Sequence, residues 1–366
     1  MSEVSFTTVV GSGLDMSGGS AFVPGDRRIR DYRQGEIAET ARAVEDAGFD
    51  QALLVYESNW PDTFLVGSEV LAATTRLRTL VAHRPGFHAP TLAARSLATL
   101  DRYSGGRAAL HVIAGSTDYG QRRDGDFLPK AERYARAEEY LDLLKRELTA
   151  TEPFDYEGEH YRVRDAFSEI RPVQTPHPTI FSGGSSAEAL ELAARHTDVY
   201  ATWGEPLADT AAQIARVREL AAAHGREIGF MSSFRPILGD TEEEAWRRAD
   251  ELRAAAEADG RAKAKRTQQP ENEGSRRIVA FSERADRHDR ALFLGIARAT
   301  GSPVNHSALV GTPETVAEAL ADYHELGVHH FLIMTYGTPA PELGRELLPL
   351  TRERIAARAS APAGRN

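Results

Sequence analysis

Two glycines and two serines, Gly183-Gly184-Ser185-Ser186, stand between an apolar segment ending at Ser182 and an amphipathic one starting near Ala187. Glycines let a backbone approach a ligand closely, and the first free N–H groups of a helix attract an anion. Two hydroxyls add donors, so the chemistry implied is the holding of a phosphate. The same residues also make an ordinary serine N-cap behind a glycine turn, and taken alone they favour that reading. Three other polar side chains fall in or at the ends of apolar runs: His83, Arg84 and His111. A lone strand histidine is usually a satisfied core residue, which is the reading for His111; His83, at a rim, is the better candidate.

These residues are carried by short apolar runs that alternate with amphipathic helices. Val4–Val10, Phe49–Tyr56, Leu77–His83, Arg107–Ala114, Thr179–Ser182, Val199–Trp203, Ile228–Leu238 and His330–Tyr336 read as strands. Helices are expected over about Tyr32–Ala47 (ended by Gly48), Asp62–Thr74, Pro90–Tyr103, Ala131–Leu148, Ala187–His196, Ala208–His224, Glu242–Ala258, Glu314–Leu326 and Pro341–Ala357. Phe154–Val163 reads as a small hairpin around Glu157-Gly158. Runs apolar throughout are buried on both faces, as parallel strands are. Eight such units predict an α/β fold, a closed (β/α)8 TIM barrel spanning 1–366 as one domain, with a late insertion after strand seven. An open doubly wound sheet is the rival, weakened because no G-x-G-x-x-G follows the first strand. A barrel places its active site where the strands' C-terminal ends meet the following loops. The charged stretch from about 260 to 306 shows little strand signal, is long for a structureless loop, and reads as a lid.

Composition narrows the partners. The 366 residues carry 44 Lys+Arg against 54 Asp+Glu, a net charge of −10, and no cysteine. Disulfides, thiol nucleophiles and Cys-ligated metal are thereby excluded. An acidic chain is a poor match for nucleic acid, whose affinity rests on neutralised phosphates. Neither a membrane-length apolar run nor a signal-peptide pattern is present, which points to a soluble cytoplasmic protein.

Several stretches, in order, resemble the bacterial luciferase-like flavin monooxygenases, most closely the alkanesulfonate monooxygenase group. They are Val81-Ala82-His83-Arg84-Pro85, Pro90-Thr91-Leu92-Ala93-Ala94-Arg95, Ala98-Thr99-Leu100-Asp101-Arg102, and Ser104-Gly105-Gly106-Arg107. Asp124-Gly125-Asp126-Phe127-Leu128 with Glu132-Arg133-Tyr134, the Gly183–Ser186 turn, and Thr202-Trp203-Gly204-Glu205-Pro206 continue the series. Leu309-Val310-Gly311 and Glu346-Leu347-Leu348-Pro349-Leu350 complete it. The resemblance implies a TIM barrel in a two-component system: an NAD(P)H:FMN reductase supplies FMN as FMNH2, and peroxyflavin attack with O2 oxidises a small organic substrate. In the alkanesulfonate group the products are an aldehyde and sulfite. Family members commonly form dimers or tetramers, so a homo-oligomer is expected.

Carried over residue by residue, the resemblance implies that Ser185, Ser186 and the backbone of Gly183 and Gly184 hold the FMN phosphate. Tyr134 would donate to the same group, and Ala114, Gly115 and Ser116 would lie beside the isoalloxazine. No metal is implied. The chain departs from the pattern in the substrate pocket. Trp60 stands where close relatives have a cysteine, and on strand seven Ser233 and Arg235 align with a family Arg and His, leaving that strand without its imidazole. Tyr336 matches a tyrosine ending the last strand, while Arg298 is an approximate match to an arginine on the mobile loop. His306 and Asn305 fall in a two-residue surplus just before Leu309. Arg235, with Arg298 from the lid, would hold a sulfonate; the alternative is an Arg235 paired with a carboxylate of another strand. Tyr336 would steady or protonate the oxygenated flavin, or else merely close the barrel end. Rival functions are the same flavin chemistry on a non-sulfonate molecule, hydride transfer with coenzyme F420, and non-catalytic flavin binding.

Overall fold

The computed structural model describes residues 4–11, 33–114, 118–258, 272–302, 304–336 and 338–360. Its first half runs β1 (Ser5–Val9), α1 (Glu36–Asp46), β2 (Gln51–Leu54), α2 (Thr63–Ala73), β3 (Arg78–His83), α3 (Pro90–Ser104), β4 (Ala108–Val112), α4 (Asp118–Arg123) and α5 (Lys130–Thr149). A hairpin of β5 (Phe154–Glu157) and β6 (Arg162–Ala166) follows. Next come β7 (Ile180–Gly183), α6 (Ala187–His196), β8 (Val199–Trp203), α7 (Leu207–Ala223), β9 (Gly229–Leu238) and α8 (Glu242–Ala258). The chain ends with α9 (Glu273–Arg284), β10 (Arg287–His288), β11 (Leu292–Phe293), α10 (Gly295–Thr300), β12 (Ala308–Gly311), α11 (Pro313–Glu325), β13 (His330–Ile333) and α12 (Ala340–Ser360).

Eight strands close a parallel barrel in the order β1, β2, β3, β4, β7, β8, β9, β13 and back to β1. They are the eight read from the sequence. Both faces of these strands are apolar, as in a parallel sheet covered on both sides, and closing it into a cylinder leaves no edge with unpaired backbone groups. One face fills the lumen with Leu80, Ala109, Phe181, Val199 and Met231. The other packs Phe6, Leu54, Val81, Leu110 and Ile180 against helix residues such as Leu97, Leu144 and Leu192. Among the described residues no helix is long and apolar enough to cross a membrane.

Local signals set the helix ends. Asp62 caps α2 by accepting from the Phe64 and Leu65 N–H groups at 3.0 Å. Gly48, at φ 87°, turns the chain out of α1 as its position predicts.

The region after β9 differs from a plain lid. Residues 260–271 lie outside the described residues. The rest contains α9, the two-residue strands β10 and β11, and α10; the two strands and the six-residue α10 are too short for periodicity to show. Strand β12, which the alternation did not reveal, pairs in parallel with the second half of β9 (Ala308↔Arg235 to Gly311↔Leu238). The first half of β9 pairs with β13 (His330↔Met231 to Ile333↔Phe234). Thus β9 changes partner between Phe234 and Arg235. The insertion is docked on the barrel: Arg277 of α9 grips the buried Glu205 after β8 with two bonds, 2.8 Å from Nε to Oε1 and 2.5 Å from Nη2 to Oε2.

Candidate active site

Ser186 caps α6 as its position predicts, its hydroxyl accepting from the Ala189 N–H at 3.4 Å. Just before it, Gly184 has φ +122°, and a Cβ there would lie 2.9 Å from the Ala189 Cβ and 3.4 Å from the Tyr134 hydroxyl oxygen. Only a glycine leaves this hollow open. The Tyr134 phenol, from α5, hydrogen-bonds Ser186, and burial raises its pKa above the ordinary tyrosine value. Tyr200 of β8 donates to the Gly184 carbonyl at 2.7 Å and also bonds Ser185. Gly184, Ser185, Ser186 and Tyr134 therefore converge as the sequence reading expects. Two neighbours were not foreseen. The Lys130 Nζ lies 5.7 Å from the Tyr134 ring centroid and 3.3 Å from a Glu188 oxygen. Glu188, in the first turn of α6, is held below the usual carboxylate range by its own N–H, the Ser186 hydroxyl and Lys130. A carboxylate thus already rests at this helix start, where the donors favour negative charge.

The barrel mouth lies beside this turn. Strand alternation carries the lumen face upward from Ala109 to His111, from Phe181 to Gly183, and from Met231 to Ser233 and Arg235. Arg235 is 2% exposed. Its Nε donates to the Asn305 carbonyl at 2.8 Å and its Nη1 to the Thr335 carbonyl at 2.7 Å. Among the described residues no carboxylate pairs with it, so the alternative of a strand-to-strand ion pair is not realised. Burial lowers its pKa from the usual arginine value. The guanidinium lies 5.0 Å from the Tyr336 ring centroid, and burial pushes that phenol well above the ordinary range.

An imidazole is present here, contrary to the sequence comparison, because a different element supplies it. His306, just before β12, is buried, with Nδ1 2.6 Å from the Tyr336 hydroxyl. Asn305 reaches back to the Ser233 carbonyl (2.8 Å) and its hydroxyl. The surplus of residues ahead of Leu309 was the available signal, but only the partner change of β9 brings it to the mouth.

Other expected residues lie elsewhere. Arg298 on α10 is corrected to an ion-paired surface residue: its side chain is 46% exposed and bonds Asp286 at 2.7 Å. His83 points outward to α5, its Nε2 2.6 Å from the Tyr140 hydroxyl, its pKa pushed down to about 3 by burial and by His88. It is a core residue rather than a rim group. His111 does face the lumen, with burial pushing it down to about 4. Arg84 lies 3.6–3.7 Å from Asp124 and Glu57. Trp60 lines a small recess of about 20 Å³ beyond the ends of β1 and β2, with Val10, Gly11, Leu54, Val55 and Pro61. Ala114 follows β4, its carbonyl 3.4 Å from the Gln121 amide nitrogen. Gly115 and Ser116 lie outside the described residues.

A closed parallel barrel with a glycine-serine turn after its fifth strand admits many chemistries, so fold alone does not choose among them. Comparison with known families does: the model described as luciferase-like monooxygenase matches residues 17–330. The chain belongs to the luciferase-like monooxygenase family. It is therefore a flavin-dependent oxidoreductase of the monooxygenase kind. Among solved structures, this luciferase-like chain is similar to a riboflavin lyase crystallised with modified FMN and riboflavin (21% identity, TM-score 0.74, covering 100% of this chain and 94% of the other). It is also similar to the EDTA monooxygenase from Chelativorans sp. BNC1 (18%, 0.71, 99% and 96%) and to an F420-dependent secondary alcohol dehydrogenase (14%, 0.67, 96% and 99%). At such identities the likeness is one of fold.

Proposed function

We propose that this enzyme takes up reduced FMN from a separate NAD(P)H-dependent reductase and, with oxygen, oxidises a small organosulfonate to an aldehyde and sulfite. Bound reduced FMN supplies the two electrons; one oxygen atom ends in the aldehyde and the other in water. The turn before α6 suits the flavin phosphate: the hollow that a Gly184 side chain would fill faces Tyr134, and Ser185, Ser186 and Lys130 supply donors around it. A dianion there takes the place of the Glu188 carboxylate, and Lys130 turns from one to the other. Ala114, with Gly115 and Ser116, would then flank the ring.

The observation that carries the substrate class is Arg235, a buried cation in the mouth that pairs with no carboxylate among the described residues. A buried charge without a counter-ion is costly, and an anionic substrate supplies one. Tyr336, beside it, donates a hydrogen bond to the reacting centre. The small recess at Trp60, lined by Val10, Leu54 and Pro61, would border the apolar part of the molecule. Its apolar lining also favours a second reading, the same flavin chemistry on a non-sulfonate molecule, whereas Arg235 favours the first.

The test is a panel of alkanesulfonates mixed with photoreduced FMN and oxygen and scored for sulfite. Sulfite is expected from at least one member, and Arg235→Ala should abolish it while FMN affinity stays nearly unchanged. Oxygenated product from neutral molecules alone would establish the second reading. Reduced F420 supporting turnover where FMN does not would remove the cofactor assignment.

A further inference from the structure

We propose that His306 is a positioning residue for the Tyr336 hydroxyl, fixing which way its proton points and hence whether it donates toward a molecule bound over the barrel mouth. This rests on the reading of Tyr336 as the hydrogen-bond donor at the reacting centre. The contact is short, 2.6 Å from Nδ1 to the hydroxyl oxygen, and the two rings are parallel within 4° with centroids 6.0 Å apart. An imidazole nitrogen takes either role in such a bond. With Nδ1 unprotonated, the phenol donates to it and turns a lone pair to the mouth. With Nδ1 protonated, the imidazole donates to the phenol oxygen and the O–H is released to donate elsewhere.

The backbone is built to hold this pair. Arg235 donates to the carbonyls of Asn305 and Thr335, the residues immediately before His306 and Tyr336, so one guanidinium sets both main chains. On the far side, the Ser307 hydroxyl donates to the Gly204 carbonyl at 2.6 Å, and the Arg235 N–H donates to the Ser307 carbonyl at 2.9 Å. The Ser307 N–H donates to the Asn305 side-chain oxygen at 2.9 Å. Because residues 305–307 are anchored through main chain and neighbours, exchanging the imidazole alone leaves its frame in place. The guanidinium of Arg235, 5.0 Å from the Tyr336 ring centroid, is a positive charge that favours a neutral imidazole beside it.

Two measurements on the full chain test this. In flavin-free protein, imidazole ¹⁵N shifts are recorded, with His306 identified by the signals lost in His306→Asn. Tyr336→Phe is expected to move the His306 signals, and unmoved signals would overturn the proposal whatever the enzyme binds. With photoreduced FMN bound, reoxidation by oxygen is followed at the oxidised flavin band. His306→Phe and Tyr336→Phe are expected to change that rate alike, by roughly tenfold or more, and the double variant to be no worse than either. His306→Asn, which puts an amide atom near the Nδ1 position, is expected to restore most of the rate. Additive losses in the double variant, or no rescue by Asn, would also overturn it. Loss of FMN binding in the unaltered protein would instead count against the flavin site, and the first measurement would still decide the pairing.

Discussion

Ser186 has two separable jobs, and three substitutions divide them. Its hydroxyl caps α6, and it belongs to the cluster that would take the flavin phosphate. Ala removes the cap, at about 1 kcal/mol of stability, whereas Asn and Asp cap as well as Ser. Ala also deletes a hydrogen bond to a charged group, about 0.5–3 kcal/mol, or about 2-fold to about 150-fold in affinity. Asp keeps the helix but brings a negative charge to within about 4 Å of where the phosphate would rest. At an effective dielectric of about 20 that repulsion is about 4 kcal/mol, close to a thousandfold. Glu188 adds to the same sign and cannot relieve it. The assay is quenching of flavin fluorescence, with FMN and riboflavin titrated in parallel. Ser186→Asp should unfold at the temperature of the unaltered protein, lose FMN by about three orders of magnitude, and bind riboflavin as before. Ser186→Asn should lose little of either. Undiminished FMN affinity in Ser186→Asp, or an equal loss for riboflavin, would place the phosphate elsewhere.

Other consequences follow from named contacts. Arg277→Met should cost about 3 kcal/mol in urea unfolding, because Glu205, 3% exposed, is left charged without its partner; Arg277→Met with Glu205→Gln should regain part of this. A cost below about 0.5 kcal/mol would mean that the pair behaves as a surface ion pair. The His83 imidazole, pushed down to about 3 by burial and then by His88, is neutral in the folded chain, while the unfolded chain takes up a proton below about pH 6.5. Its contribution is therefore fully present above that pH and is lost as pH falls toward 3, by up to about 1.4 kcal/mol per unit. His83→Phe should show a shallower fall in unfolding free energy between pH 7 and pH 5 than the unaltered chain, and parallel curves would remove His83 as the cause.

The barrel was legible because its strands are local: each is a contiguous apolar run that alternates with an amphipathic helix, and helix starts such as Asp62 and Ser186 carry side chains that cap them. The turn before α6 was legible for the same reason, since Gly183–Ser186 are contiguous and Gly184 declares its own conformation. The cluster of Arg235, His306 and Tyr336 was not. His306 reaches Tyr336 across 30 residues of chain, and Arg235 reaches Thr335 across 100. Neither contact has a periodicity to betray it. Arg298 misled because alignment by count assigned it a place, whereas the helix α10 hands its guanidinium to Asp286.

The partner change in β9 explains why the chemistry gathers where it does. Up to Phe234 the strand is a stave of the barrel, bonded to β13; from Arg235 it is bonded to β12 instead. At that parting β13 and β12 diverge, and the carbonyls of Thr335 and Asn305, one on each side, need donors. A guanidinium is the side chain that reaches both, with its fork of N–H groups in one plane. A lysine offers a single ammonium and cannot hold the two carbonyls in that geometry. Arg235→Lys would therefore keep the positive charge yet loosen His306 and Tyr336 together, so a variant that binds an anion normally but turns over slowly is the signature of this arrangement. If Arg235→Lys loses anion affinity and keeps its turnover rate, the arginine serves the substrate alone and the brace between the two strands contributes nothing to the chemistry.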